Sequence, residues 1–462
     1  MFRLAEPSFW MDALRVPTEP AGAQRGSAEW LPNGRRLTWE PAPQQQPLTR
    51  YSLGAVPIYS SNLRPTPPAG TWEPIAAVSD GNGNERAHVW RSDSGISLPF
   101  DPDEAVLALL SERYLAAEIR SASSSARAAA RKTYYRVRPL LPRQAQLVAR
   151  RLYSHVQRRQ RFPAWPIETG LADLYQLLLS FTADAAGEPV PWLAPWPQPY
   201  SWALVLTHDV ETSAGYAAIG QVCELEASYG YRSAWNLVPR RDYVVEDADV
   251  VELQRGGWEV GLHGLHHDGR DLESEKLAFE RLPEMRCWAE RWGAAGFRAP
   301  ATQRDWRLMP RLGFEYDSSY PDTDPFEPQG GGCCSWLPFW NDGLLELPIT
   351  LPQDHTLFVI LGETDGRIWH EKAHLLRERG GMALLDTHPD YLLDDPAPAA
   401  YRAFLAEFAQ DPTAWRALPS EVAAWWQRRT ETRLERTAAG WLPMGPAAAE
   451  AAVVMVAPAQ PA

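Results

Sequence analysis

An apolar run, Ala203 to Thr207, ends on His208, Asp209 and Glu211, three ionisable side chains within four positions. Charge beside a core is costly, so carboxylates at the end of a buried strand call for a chemical explanation. A second run, "WEVGL", ends in "HGLHHDG" with His263, His266 and His267; "GFRAP" carries Arg298; "MALLDTHPDY" ends on Asp386 and His388. His263 and His267 are four apart, a spacing that lets two imidazoles reach one metal ion from a single turn or folded loop. Two neutral imidazoles and one carboxylate complete a catalytic zinc site that leaves positions open for water and substrate. A second carboxylate could then take a proton from the water, and a guanidinium beside it, Arg298, would keep it ionised. His388, on the opposite side, could give a proton to the leaving group. The chemistry that suits this set is metal-assisted hydrolysis with separate base and acid.

The elements that must position these residues follow from the pattern around them. "WALVLT", "RSAWNLV", "WEVGLH", "GFRAP", "LLELPIT" and "GMALLDT" read as strands, and helix-like stretches such as "GYAAIGQVCELEASYG" lie between them. That alternation predicts parallel strands in a β/α domain, open or closed into a barrel. In such folds functional groups collect where strands end and loops begin, and the titratable clusters here do so repeatedly.

Upstream, residues 1–110 are rich in Pro and Trp, with short strands, and "WEPIAAVSDGNGNERAHVW" reads as a hairpin. A helix is expected from Asp101, with Pro102 first inside it and Glu104 three residues past the cap. Residues 111–188 form a basic helical region: thirteen Arg and Lys between Arg113 and Arg161 face the single acid Glu118. Such a stretch can hold an anionic lipid surface or a phosphorylated glycolipid, so a weak membrane-surface contact through 113–161 is one reading; a solvated helix pairing with the acidic remainder is the other. Residues 189–200, with five prolines, read as a stiff linker, and 431–462 as a helix end followed by a disordered Ala/Pro tail.

The net charge of −13 argues against nucleic acid as a partner. No stretch is long and apolar enough to cross a bilayer, the start does not resemble a secretory signal, and the four cysteines show no framework spacing, so a cytoplasmic location is expected.

Taken in order, "THDVE", "HGLHH", "FRAPA" and "LLDTHPDY" resemble the motifs of the polysaccharide deacetylases of the NodB-homology type, a group of carbohydrate esterases. The resemblance covers roughly residues 200 to 430, and the first half is similar to accessory regions of bacterial cytoplasmic members. It implies a deformed (β/α) barrel of about seven parallel strands over residues 201–430. It also implies a hydrolase acting on a non-peptide C–N bond, which removes acetyl groups from N-acetylated sugars with a divalent metal, most simply zinc. The acetylated carbohydrate would be a polysaccharide, an oligosaccharide or a lipid-linked precursor. Carried over, Asp209 matches the base, His263 and His267 the metal ligands, Arg298 the residue holding the base, His388 the acid, and the Ala301 N–H the oxyanion donor. The family's first motif has two adjacent aspartates; here Val210 intervenes, which makes Glu211 the third ligand, or Asp209 itself. Gly264 stands where Ser or Thr is usual and Thr302 where Gly is common. Asp317 or Asp386 would orient His388. Trp336 and Trp340, near the Gly-rich "GGGCC", would suit stacking on a sugar. His208 and His266 read as packing or supporting residues, and His355, His370 and His374 as surface residues. The alternatives are cleavage of O-acetyl esters or other C–N bonds, or a catalytically impaired glycan-binding protein of the same fold.

Overall fold

The structure, a computed structural model, describes residues 1–20, 25–43, 46–118, 154, 157, 162–393 and 395–459. The basic segment expected to be helical lies, beyond Glu118, almost wholly outside the described residues. The chain divides into two compact units: residues 1–141, 169–194 and 428–462 in one, and 142–168 with 195–427 in the other.

The first unit is built on a nine-stranded, mostly antiparallel sheet, within which Glu73–Asp80 and Glu85–Ser92 form the expected hairpin. The expected helix runs from Pro102 to Leu110, and the Asp101 carboxylate caps the N–H groups of Asp103 and Glu104. Glu104 does not reach back to complete a capping box; its carboxylate accepts from Ser60 Oγ and from Ser61 N and Oγ. Two expectations are corrected. Within the supposed linker, Val190–Leu193 is a strand, antiparallel to Val453–Val456, which falls in the supposed disordered tail. A two-stranded ribbon leaves one edge of each strand unpaired, so Pro191 costs no ladder bond there. The tail also contains a hairpin, Arg433–Thr437 with Gly440–Met444. Arg429 is fully buried in this unit and donates to the carbonyls of Leu193, Ala194 and Ala13.

The second unit holds the β/α domain. Its strands are β1 (Trp202–Val210), β2 (Ala234–Leu237), β3 (Glu259–Leu262), β4 (Gly296–Phe297), β5 (Tyr316–Asp317), β6 (Phe339–Asn341), β7 (Leu344–Glu346), β8 (Met382–Thr387) and β9 (Ala414–Arg416). Its main helices are α1 (Ser213–Ser228), α2 (Asp247–Arg255), α3 (Glu275–Trp292), α4 (Arg367–Arg379) and α5 (Ala397–Phe408). Seven strands run parallel in the order β8-β1-β2-β3-β4-β5-β7; β6 adds antiparallel to β7, and β9 pairs with the start of β1. All nine residues of β1 are buried, as expected of a strand covered on both faces.

The sheet closes on itself. Past β7, the N–H groups of Thr350 and Leu351 donate to Leu384 O on β8 at 3.2 and 3.0 Å, and the Leu384 N–H donates to Thr350 Oγ1 at 2.8 Å. The closure runs through a side chain as well as the backbone, so the result is a deformed barrel of seven parallel strands, as expected. β5, two residues long and without an apolar run of its own, is the strand the sequence pattern does not reveal.

Candidate active site

Alternation along β1 sorts its charged residues. Thr207 and Asp209 face one way, and both meet Arg298. His208 faces the other way and is fully buried: its ring stacks on Trp235 at 4.3 Å and it bonds Glu226 on α1 at 2.6 Å and Thr387 Oγ1 at 2.8 Å. His208 is therefore a packing residue. Glu211, just past the strand, turns back towards the loop after β3.

There three side chains converge. His267 Nε2 lies 2.6 Å from Glu211 Oε1, and His263 Nε2 lies 3.7 Å from the same oxygen and 3.6 Å from Asp209 Oδ2. Potential ligand atoms of Glu211, His263 and His267 all lie within 4.8 Å of one another. His263 Nδ1 is occupied by Arg298 O at 3.1 Å, while its Nε2 is buried with no hydrogen-bond partner. A buried imidazole nitrogen held by its other nitrogen and aimed between two carboxylates fits a metal ligand. This orphaned atom and the hard and borderline donors around it suit a divalent ion such as zinc.

The loops are shaped for this convergence. His267, Ala301 and Thr302 have φ of 52°, 55° and 48°, left-handed values that side-chain-bearing residues rarely adopt. Such strain collects where surrounding structure enforces a functional geometry. Gly264 has φ 63°, and a Cβ there would come within 2.3 Å of Asp271 Oδ2 and 2.7 Å of the Pro300 ring. Asp271 fills that space, accepts from Leu265 N–H at 3.2 Å, and is held by Arg281. The turn at Pro300–Thr302 leaves the Ala301 N–H with no acceptor among the described residues.

On one side of the cluster stands Asp209. Its Oδ1 accepts from Asn236 Nδ2 at 2.8 Å and Arg298 Nη1 at 3.4 Å. Asn236 can reach it because Gly261, on the next strand, presents no Cβ; one would sit 2.3 Å from Asn236 Oδ1. Burial pushes the Asp209 carboxyl up, but His263, Arg298 and His388 outweigh it, and the group ends below its ordinary range. For Glu211, burial is likewise outweighed, chiefly by His388 with His263 and His267, and the carboxyl is held well below its usual value.

On the other side stands His388, 3.5 Å from Glu211 Oε1 through Nε2. Its partner is neither Asp317 nor Asp386. Asp354 accepts from His388 Nδ1 and from the His388 backbone N–H, both at 2.7 Å. Burial would lower the imidazole, but Asp354 and Glu211 prevail and hold it protonated well above its normal range. Asp386 instead pairs with Arg298 at 2.5 Å and accepts from Thr207 Oγ1 and Gln353 Nε2; burial pushes it up to about 7. Asp317 binds Ser319 Oγ and shares its surroundings with Glu346, and burial raises both. Arg298 is thus divided between Asp209 and Asp386, with Nε on Ser318 O and Nη2 on Ser318 Oγ fixing its plane.

Trp336 does not line this cluster. Trp336 is buried, and its carbonyl accepts from Met382 N–H at the start of β8, the end opposite His388. Trp340 lies in β6, in register with Leu345. The aromatic rings beside His388 are Tyr391, at 5.3 Å, and His355, at 6.4 Å, which stack on one another. His355 is therefore not a remote surface residue. His266 is exposed, and His370 and His374 both bond Glu407 on the neighbouring helix.

Sequence reasoning missed Asn236 and Asp354. Asn236 carried the same signal as the residues it found, a polar group late in a strand-like run, whereas Asp354 lies in the loop beyond β7; neither sits in a spaced motif.

No family model matches the chain, and no curated protein matches it. Among solved structures it is similar to a Mycobacterium smegmatis protein described as a polysaccharide deacetylase, at 21% identity over 50% of this chain and 92% of that one, with a TM-score of 0.41. It is also similar to a Pseudomonas aeruginosa protein described in the same terms (18%, 51% and 94%, 0.42) and to Puue allantoinase (16%, 51% and 93%, 0.40).

Proposed function

We propose that this chain is a metal-dependent deacetylase of the polysaccharide deacetylase family that hydrolyses the N-acetyl group of an amino sugar. The observation that supports it most is the orphaned His263 Nε2, set among Glu211, His267 and Asp209 with a protonated His388 facing them. Glu211, His263 and His267 would hold the ion; Asp209 is fastened by Asn236 and Arg298 and is left to act as base. A divalent ion held there would supply Lewis-acid polarisation of the acetyl carbonyl and of water. Asp209 accepts the proton of the attacking water as its oxygen bonds to the carbonyl carbon. The Ala301 N–H donates to the oxygen that gains charge. His388 gives its Nε2 proton to the sugar nitrogen as the C–N bond breaks, releasing acetate and a free amine.

Elemental analysis of the purified chain, paired with acetate release from N- and O-acetylated sugars, tests this. The wild type should carry about one ion per chain, His263→Ala should lose it, and Asp209→Asn should keep the ion while losing turnover by roughly 100-fold or more. A chain that takes up no divalent metal under any condition sinks the reading. Acetate released only from O-acetyl sugars would move it to esters.

A further inference from the structure

The segment between β2 and α2 is fastened to both site loops. The Arg240 N–H donates to Leu265 O at 3.0 Å, inside the His263–His267 turn. Tyr243 Oη donates to Val210 O at 2.6 Å, accepts from Val238 N–H at 3.0 Å, and its ring stacks on Tyr216 at 4.8 Å. Arg241 Nε donates to Glu211 O at 2.6 Å. The segment is thus held against the backbone of a metal-binding residue on one flank and of the histidine turn on the other.

Its two consecutive arginines are used differently. Arg240 pairs with Glu284 at 2.6 Å, and its guanidinium lies over Trp288. Arg241 is exposed, and among the described residues no carboxylate pairs with it. Its Nε is committed to the Glu211 carbonyl, which fixes the plane of the guanidinium and leaves both Nη nitrogens as donors. In a chain of net charge −13, an anchored, acid-free guanidinium beside the metal ligands is a local exception. A fixed planar fork of that kind matches the paired oxygens of a phosphate or carboxylate, and its preorganisation limits the entropy lost on binding.

From this geometry we infer that Arg241 selects an acetylated amino sugar bearing an anionic group, a phosphate or a carboxylate, over a neutral one. The inference rests on the deacetylase reading for the identity of the sugar, while the anion preference rests on Arg241 alone. The zinc-loaded full chain is assayed with N-acetylglucosamine, N-acetylglucosamine 6-phosphate and N-acetylmuramic acid, by acetate release and by calorimetric binding. At least one charged sugar should exceed the neutral one in kcat/KM by about tenfold, carried by KM. Arg241→Gln should bring that ratio to within about twofold of unity, and Arg241→Lys should retain part of it because charge remains without the fork. Preference for one charged sugar alone identifies phosphate or carboxylate as the group. Equal rates on charged and neutral sugars in the wild type, or a ratio unchanged in Arg241→Gln, overturns the inference and leaves the deacetylase reading standing. If no sugar releases acetate but a charged one binds and loses binding in Arg241→Gln, the deacetylase reading falls and Arg241 keeps its role. If no charged sugar binds or reacts, the inference falls, and the deacetylase reading stands or falls on acetate release from the neutral sugar.

Discussion

Replacing Asp354 by Asn separates His388, the proposed acid, from the carboxylate that holds it. Asp354 spends Oδ1 on the imidazole Nδ1–H and on the backbone N–H of His355, and Oδ2 on the backbone N–H of His388, each at 2.7 Å. Asn preserves the shape and one acceptor, but its NH2 must then face a donor, either the ring N–H or the backbone N–H. If the NH2 faces the backbone of His388 one bond is lost; if it faces the ring, the charge-assisted bond goes together with the one from the His355 N–H. A hydrogen bond to a charged group contributes about 1.5–3 kcal/mol, so kcat should fall roughly 10- to 150-fold. The pH profile carries a second, independent reading. Asp354 is the largest of the attractions that raise His388, so the protonated imidazole survives to higher pH in the wild type than it would alone. An acid must be protonated to act, so activity is lost as pH rises through the His388 value. Removing the carboxylate charge lowers that value, and the alkaline limb of kcat should move to lower pH while KM changes little. The assay is acetate release over pH 6–10 with metal content checked in each preparation. A variant with kcat within twofold of wild type, or an alkaline limb that does not move, refutes the assignment of His388 as acid and Asp354 as its positioning residue.

Other perturbations test the scaffold. Gly264→Ser drives a Cβ into Asp271 Oδ2 and the Pro300 ring, so it should destabilise the chain by roughly 1–3 kcal/mol and weaken metal binding, read as the midpoint of thermal unfolding and the Kd for zinc. Asp103, half-buried in the first unit, accepts from Trp10 N–H and Ser8 Oγ, yet loss of solvent dominates and pushes its carboxyl up to about 7. A carboxyl raised in the folded state favours folding as pH falls through 7 and costs stability above it. Asp103→Asn keeps the accepting oxygen and should therefore stabilise the first unit at pH 8, by on the order of 2–4 kcal/mol, with the gain vanishing towards pH 4 in urea unfolding. Thr302→Gly removes a β-branched residue from a left-handed conformation and a buried hydroxyl with no partner; unfolding should become harder by up to about 1 kcal/mol, with turnover retained if only the backbone of this turn matters.

What the sequence made legible depended on how far each signal extends along the chain. β1 and β8 are buried over their whole length, so they read as apolar runs, and the charged residues after them stand out against that background. β4 and β5 are two residues each, too short for any periodicity; of the two, only β4, within "GFRAP", was read as a strand. The same asymmetry holds in the site. His263 and His267 are tied by spacing, whereas His388 and Asp354 meet across 34 positions and Asn236 and Asp209 across 27, distances at which local pattern carries no information. The choice of Asp317 or Asp386 for His388 failed because both are strand residues whose side chains alternate into the barrel interior, where Arg298 and Glu346 claim them. Asp354 lies beyond β7 in a loop, and so is free to approach the strand end from outside. Trp336 failed for a related reason: it is fixed to the beginning of β8, and a residue bound to the start of a parallel strand is placed at the end of the barrel where chemistry is absent. Strand direction was therefore the missing variable. Once each polar residue is assigned to the start or the end of its nearest strand, Asp354, Tyr391 and Arg241 fall on the site side without reference to any motif.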